Sequence, residues 1–198
     1  MKKVLLIQSS LNDPSSASRK VAAEVIETLK RKNPGIRVIE RDLAQVPVPH
    51  FTPQMVAAAF TPPEGRTNEN KQTLKLSDEL CAELIEADAI VIGAPMWNFS
   101  VPSVVKAWID HLVRVGVTFK YTETGPVGML PPGKVLYIAE ASGGVYEGPS
   151  GSYNHVSPYL SQIFGFLGVT ETKTIQIAGT AFRKEAAVEE GLAKAREI

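Results

Sequence analysis

Apolar residues along the chain fall into short continuous runs, and the stretches between them carry apolar positions at every third or fourth residue. The runs at 4–7, 89–94 and 135–139 have the length and uniform apolarity of strands buried on both faces of a parallel sheet. Residues 36–40 predict another strand, and the alternating segment 172–177 predicts an edge strand. Five strands are therefore expected.

Helical periodicity occupies the intervals between these strands. Val21, Val25 and Leu29 share one helical face, which predicts a helix from about Ser18 to Lys32. Ser100 is a plausible N-cap for the helix that follows the third strand, whereas residues 117–130, rich in turn formers, predict a loop. Further helices are predicted at 54–60, from Leu76 to about Asp88, and at 101–112, 158–167 and 186–196.

This alternation of strand and helix predicts one α/β domain over residues 1–198, with a parallel sheet and right-handed crossovers. Two strand orders are common for such sheets, the dinucleotide-binding order and the flavodoxin-like order. The loop after the first strand, residues 8–18, contains neither Gly-x-Gly-x-x-Gly nor Gly-Lys-Ser/Thr, so both the dinucleotide turn and the P-loop are excluded.

Hydroxyl groups cluster instead at the start of the first helix, where backbone amides also point toward a ligand. Ser10, Ser16 and Ser18 could donate to a terminal phosphate monoester without help from a basic side chain. The alternative is a serine-rich loop in which one serine is simply the helix N-cap.

Polar and aromatic residues follow the third strand, in the segment 95–100. Open α/β sheets bind ligands at the carboxyl ends of their strands, so a flat, hydrogen-bonding turn there favours a planar heterocyclic cofactor. After the fourth strand, paired glycines in the segment 141–144 would let the backbone approach a flat ligand, although an ordinary turn is the alternative. In the order 2-1-3-4-5 the three loops converge on one crevice.

The amino-acid composition limits the kinds of molecule that the protein is expected to bind. The 21 basic and 21 acidic residues balance, which argues against nucleic acid or an anionic membrane as partner. Cys81 is the single cysteine, so no intramolecular disulfide can form, and its place on an apolar helical stripe predicts a buried packing residue. No apolar run is long enough for a signal peptide or a membrane helix, and the expectation is a soluble cytoplasmic protein.

Other catalytic chemistries find little support in the sequence. The histidines at 50, 111 and 155 lack metal-ligand spacing, so no metal site is predicted. Residues 148–152 do not have the frame of the hydrolase nucleophile motif. Residues 183–185 and the last helix are interpreted as a solvated face.

The chain resembles the FMN-dependent NAD(P)H azoreductase/quinone oxidoreductase family. The most specific motifs are Ala-Pro-Met-Trp-Asn-Phe at 94–99 and Gly-Val-Thr-Phe-Lys-Tyr-Thr at 116–122. The likeness spans nearly the whole chain, and it is also carried by residues 3–10, 16–18, 76–80, 143–144 and 158–161.

This resemblance implies a three-layer flavodoxin-like fold with a five-stranded parallel sheet in the order 2-1-3-4-5 and helices on both faces. It implies tightly bound, non-covalent FMN, NADH or NADPH as electron donor, and two-electron ping-pong hydride transfer to quinones and aromatic azo compounds. Trp97 stands where tyrosine is frequent, and Ala141-Ser142 replaces Ser-Arg of some relatives. The matching FMN-binding positions are Ser10, Ser16, Ala17, Ser18, Pro95, Met96, Trp97, Asn98, Phe99, Ala141, Ser142, Gly143 and Gly144.

The implied catalysis needs no side-chain nucleophile, because backbone amides of Asn98, Phe99, Gly143 and Gly144 would orient the cofactor and stabilise its charge. Tyr146 could contact substrate or supply a proton, although a solvated loop tyrosine is the simpler interpretation. A homodimer is expected to build the substrate pocket, with Phe119, Tyr121 and Phe164 as candidates for its aromatic wall. For each of them the alternative is ordinary core packing, which is favoured for Phe164. An electron carrier of the flavodoxin type, an NAD(P)H:FMN reductase and a flavin-free binding module are the alternatives.

Overall fold

The computed structural model describes residues 1–11 and 15–198, and in it strands and helices alternate along the chain. The strands are β1 (Lys3–Gln8), β2 (Arg37–Asp42), β3 (Ala89–Pro95), β4 (Phe119–Thr122), β5 (Gly125–Gly128), β6 (Val135–Ala141) and β7 (Glu171–Ile177). The α-helices are α1 (Ala17–Lys32), α2 (Pro53–Phe60), α3 (Asn68–Glu86), α4 (Ser103–Leu112), α5 (Ser157–Leu167) and α6 (Thr180–Glu197).

Five strands form one parallel sheet in the order β2-β1-β3-β6-β7, which confirms the predicted α/β class and the parallel sheet. The order written in chain numbering is not 2-1-3-4-5, because two strands that were not predicted come before β6. These are β4 and β5, which pair as an antiparallel hairpin inside the predicted loop 117–130. The loop prediction is wrong there because each hairpin strand has only four residues, too few for a periodic pattern to show.

Both faces of the parallel sheet are buried, and successive residues of a strand contribute to different cores. Leu5 and Ile7 of β1 pack in the cluster that includes α3, α4 and α5, whereas Val4 and Leu6 pack in the cluster that includes α1 and α6. This alternation follows from the two-residue period of a strand. It explains why β1 is apolar at every position from 4 to 7.

Three helix boundaries differ from the predictions. Helix α3 starts at Asn68, eight residues before the predicted Leu76, with Thr67 as its N-cap. Helix α4 starts at Ser103 with Pro102 as its N-cap, so Ser100 is not the cap and belongs to the preceding turn. Helix α6 starts at Thr180, six residues before the predicted start, and non-helical backbone at Arg183 separates its first turn from the rest. Because of that interruption, helical periodicity in the sequence does not extend to the first turn. Across the described ranges, no helix has the length and apolarity needed to cross a membrane.

Candidate functional site

A cleft of about 400 Å³ opens at the carboxyl ends of β1, β3 and β6. This volume lies in the usual range of small-molecule sites, roughly 300–1,000 Å³. Three predicted loops and the start of α6 contribute to it, so the predicted convergence of the loops is present in the structure. The lining residues are Ser10, Ser15, Ser16, Ala17, Pro95, Met96, Trp97, Asn98, Ala141, Gly143, Thr180, Ala181 and Lys184.

The hydroxyl-rich end of the cleft is built around the N-terminus of α1. Ser16 is the N-cap, and its Oγ accepts a hydrogen bond from the Arg19 amide at 3.4 Å. Ser18 is completely buried behind it, with the two Oγ atoms 3.1 Å apart. Ser18 therefore supports Ser16 and does not itself line the cleft, while Ser10 and Ser15 do. Residues 12–14 of the predicted phosphate loop lie outside the described residues.

Close packing and one ion pair hold this end in place. A Cβ added at Gly93 would lie 2.6 Å from Gln8 Oε1 and 3.3 Å from the Ser18 carbonyl, so glycine lets α1 begin close against β3. The Arg19 guanidinium donates to both carboxylate oxygens of Asp42, at 2.6 and 2.9 Å, and to the Ser10 carbonyl at 2.8 Å. The Arg19 hydrogen bond lowers the pKa of Asp42 below its ordinary value.

The aromatic side of the cleft is a tight turn with an uncommon backbone. Trp97 and Ser100 exchange backbone hydrogen bonds of 2.8 and 3.0 Å, and between them Asn98 and Phe99 have φ values of 48° and 69°. Asparagine tolerates this left-handed region, whereas phenylalanine rarely adopts it. A left-handed backbone conformation at such a residue persists only where the surrounding structure fixes it.

Phe99 is fixed by two kinds of contact. Its carbonyl accepts a hydrogen bond from the His155 amide at 2.8 Å. Its ring packs on Tyr146 and Tyr153, with centroid distances of 5.9 and 5.4 Å. Tyr146 is thus part of an aromatic cluster behind the turn and does not itself line the cleft.

A buried carboxylate anchors the segment that holds Phe99. Glu140, the penultimate residue of β6, accepts hydrogen bonds from Asn154 Nδ2 at 2.6 Å and from the Ser157 amide at 3.2 Å. His155 lies between those two partners, so the contact from His155 to Phe99 is tied to the sheet through Glu140. Sequence reasoning missed this residue, since a lone glutamate in an apolar strand carries no motif.

The loop after β6 is fixed by its neighbours on both sides. The Ala141 carbonyl accepts from the Met96 amide at 2.7 Å, which joins this loop to the turn after β3. The first turn of α6 then donates three amides, from residues 179, 180 and 181, to the carbonyls of residues 144, 142 and 143 at 3.0–3.1 Å. The Ser142 hydroxyl is used inside the loop, donating to the Gly144 carbonyl at 2.8 Å.

Several backbone amides at or beside this cleft have no hydrogen-bond acceptor among the described residues. Among the described residues, nothing accepts a hydrogen bond from the amides of Asn98, Phe99, Gly143 or Gly144. The first-turn amide of Ala17 also lacks an intrahelical acceptor, as expected at a helix start. Backbone amides are paired in most folded structures, so these need water or a ligand. Free amides of this kind are donors suited to the oxygens and nitrogens of a ring system, and hydroxyls at a helix N-terminus are donors suited to a phosphate.

The predicted aromatic substrate wall is not at the cleft. Phe164 is completely buried against Trp108, with ring centroids 6.1 Å apart, so it is a core residue. Phe119 is 8% exposed and packs on Phe166 at 5.0 Å, whereas Tyr121 is 68% exposed on the hairpin. The core position of Phe164 agrees with the alternative given for it. Because the wall is expected across a dimer interface, a part in it for Phe119 and Tyr121 stays a prediction.

Four lining residues were missed by sequence reasoning, namely Ser15, Thr180, Ala181 and Lys184. Ser15 lies inside the serine-rich loop, and the sequence does not indicate which serines of a loop face a cleft. The other three follow β7, whose carboxyl end lies beside that of β6 in the sheet. The predicted adjacency of these two strands was the sequence signal that could have pointed to the residues after β7. Lys184 belongs to the segment interpreted as a solvated face. It is exposed, as that interpretation predicts, and it also lines the cleft.

Elsewhere the part of the chain that the structure describes contains no group of three or more His, Cys, Asp or Glu residues able to hold a metal ion. Cys81 is buried, as predicted, and burial raises the pKa of its thiol to about 11. Its Sγ donates to the His111 carbonyl at 3.4 Å. A buried, protonated thiol of this kind is unreactive.

Comparisons with known proteins agree with this architecture. The family model described as "Flavodoxin-like fold" matches residues 2–198. A relative from Herminiimonas arsenicoxydans named FMN-dependent NADH:quinone oxidoreductase is 49% identical over 195 residues, covering 98% of this chain and 95% of the relative. One from Rhizobium etli, named FMN-dependent NADH:quinone oxidoreductase 1, is 48% identical and covers 99% of this chain and 96% of its own.

Solved structures are also similar. An azoreductase from Bacillus anthracis strain Sterne superposes with a TM-score of 0.87 at 31% identity, and both chains are covered completely. An FMN-dependent NADH-azoreductase from Bacillus anthracis strain Ames Ancestor, solved in complex with FMN, has a TM-score of 0.89 at 28% identity and covers 100% of this chain and 97% of that one.

Proposed function

Because the chain belongs to the family with the flavodoxin-like fold, we propose that it is an FMN-dependent NADH:quinone oxidoreductase that also reduces aromatic azo compounds. The observation that carries the proposal is a cleft lined by Asn98 and Gly143, whose amides, like those of the adjacent Phe99 and Gly144, have no acceptor among the described residues. The names of the relatives from Herminiimonas arsenicoxydans and Rhizobium etli support the same activity. The azoreductase neighbours support the azo substrates.

The residues of the cleft fit FMN at both ends. Ser10, Ser15 and Ser16 with the start of α1 would hold the phosphate, since hydroxyls and first-turn amides are its natural donors. Pro95, Met96 and Trp97 would lie along the ring system. When bound, FMN accepts a hydride from NADH and returns two electrons to a quinone or an azo compound.

The protein contributes orientation and charge stabilisation. In this proposal Asn98 and Phe99 would donate their amides to one edge of the ring, and Gly143 and Gly144 would donate theirs from the loop after β6, since none of these amides has an acceptor among the described residues. These donors are held rigid by the Met96–Ala141 hydrogen bond and the turn of α6, so they need no reorganisation when charge develops. Of the residues that the structure describes, no side chain at the cleft has the arrangement of an activated nucleophile.

We further propose that the active form is a homodimer whose second copy completes the substrate pocket. Support comes from the hairpin, where Tyr121, Val127 and Met129 are 68%, 45% and 40% exposed. Such apolar surface favours an isologous contact. Sedimentation of the purified protein should give a dimer, and a fully active monomer at assay concentration would refute this part of the proposal.

The decisive test is anaerobic titration of the FMN-loaded protein with NADH and NADPH, followed by mixing with a quinone and with an azo dye. Bleaching of the flavin by NADH and its re-oxidation by each acceptor would establish both half-reactions. An electron carrier would show almost no steady-state NADH oxidation with added quinone. A protein that gains no flavin absorbance on addition of FMN would overturn the proposal entirely.

A pair of variants separates an effect on the cofactor site from an effect on folding. Asn98→Ala should weaken FMN binding or slow flavin reduction, because it disturbs the turn that presents two amides. Cys81→Ala changes a buried residue outside the cleft and should affect neither beyond a modest packing loss. An Asn98 variant equal to wild type in both measurements would contradict the placement of the ring.

A further inference from the structure

Lys184 is the only charged side chain among the described residues that line the cleft. It lies one turn after Thr180, and the preceding turn of α6 is hydrogen-bonded to the loop after β6. The neighbouring Arg183 is engaged elsewhere, since it donates to Glu190 at 2.8 and 2.6 Å. Lys184 therefore supplies the positive charge of the cleft lining.

The surroundings leave that charge available for an anion. Within residues 1–11 and 15–198, Lys184 makes no ion pair and no hydrogen bond. It borders both the cleft and a shallow depression that it shares with Lys20, Glu185 and Val188. Lys20 is in the first turn of α1, so Lys184 lies on the side of the cleft where the hydroxyls of Ser15 and Ser16 end.

We propose that Lys184 recognises the phosphate of FMN and makes the site select the phosphorylated flavin over riboflavin. The inference rests on the proposed function and deepens it. The helix N-terminus and the serine hydroxyls bind a phosphate by hydrogen bonds, and a lysine adds a point charge on a flexible stem that the dianion attracts. Because the side chain is exposed, the contribution is modest and weakens with salt.

The test compares FMN with riboflavin, which has the same ring system but no phosphate. Flavin-free protein is titrated with each, and the change in flavin fluorescence gives the dissociation constant at low and high salt. Lys184→Gln should weaken FMN binding about 3- to 10-fold at low salt and leave riboflavin binding unchanged. Lys184→Glu should weaken FMN binding further, and both variants should flatten its salt dependence.

Lys194→Gln is the matched control, since Lys194 is an exposed lysine of the same helix that does not line the cleft. It should bind both flavins as wild type does. Equal losses for FMN and riboflavin in Lys184→Gln would overturn the inference, because they would place the charge at the ring. A Lys184→Gln variant that binds FMN as tightly as wild type, with an unchanged ratio of FMN affinity to riboflavin affinity, would also overturn it. Wild-type protein that binds neither flavin would instead overturn the proposed function, on which the inference depends.

Discussion

The hairpin of β4 and β5 is joined to the domain through a close backbone approach at Gly128. A Cβ added there would lie 2.2 Å from the carbonyl carbon of Leu167, 2.4 Å from its oxygen and 2.5 Å from the Gly168 amide nitrogen. Gly128 does not have a positive φ, so alanine meets no backbone strain of its own. Gly128→Ala therefore tests one thing, the contact between the hairpin and the end of α5.

The expected magnitude follows from these distances. Backbone atoms cannot rotate away, so the hairpin must shift, and overpacking of this kind costs about 1–3 kcal/mol. The shift also strains the adjacent hydrogen bond from the Leu130 amide to the Leu167 carbonyl, 3.1 Å in length. For a domain of this size, that cost should lower the melting temperature by about 2–12 °C.

Gly165→Ala is the matched control in thermal denaturation. Gly165 lies in α5, and a Cβ there would meet nothing within 4 Å. Alanine is favoured over glycine in a helix by about 1 kcal/mol, so this variant should melt a few degrees higher. Tryptic cleavage after the exposed Lys120 should accelerate only in Gly128→Ala. An unchanged melting temperature and cleavage rate in Gly128→Ala would refute the close approach.

Asn98→Gly should keep more FMN affinity than Asn98→Ala, because glycine accepts a φ of 48° and alanine does not, at a cost of about 1–2 kcal/mol. Equal losses of FMN affinity in the two variants would mean that the side-chain amide of Asn98 itself binds FMN. The lowered pKa of Asp42 stabilises the fold above about pH 4, and this contribution is lost as pH falls through the lowered value. The difference in melting temperature between wild type and Asp42→Asn should thus shrink below about pH 4, and a constant difference would contradict the pairing with Arg19. Cys81, with a pKa of about 11, should resist iodoacetamide at pH 8 until urea unfolds the protein.

Sequence reasoning located the central strands because a strand buried on both faces is apolar at every position, as β3 is. It located the cleft because ligand-binding loops follow the carboxyl ends of such strands. The burial of Ser18 was also predictable. Ser18 lies on the same helical stripe as Val21, Ala22 and Val25, all completely buried, and its Oγ lies 3.1 Å from that of Ser16 at the cleft.

What escaped prediction depends on contacts between distant parts of the chain. The hairpin strands have no apolar run of their own, and β5 is positioned by Gly128 against α5, nearly forty residues later in sequence. The first turn of α6 is fixed by hydrogen bonds to residues 142–144, and only this docking brings Lys184 to the cleft. Neither contact can be predicted from the local helix or strand propensity of the sequence.

The residue at position 141, where this chain departs from some relatives, acts in the fold through its backbone. Ala141 contributes its carbonyl to the Met96 amide, and the amide of Ser142 donates to the Ile177 carbonyl, so both residues act in the fold through the backbone. The unpartnered donors of this loop are the amides of Gly143 and Gly144, whose direction is set by those backbone bonds and not by the side chain at 141. A site whose donors are mainly amides can lose a serine hydroxyl and keep its geometry, as long as the turn of α6 stays docked on the loop.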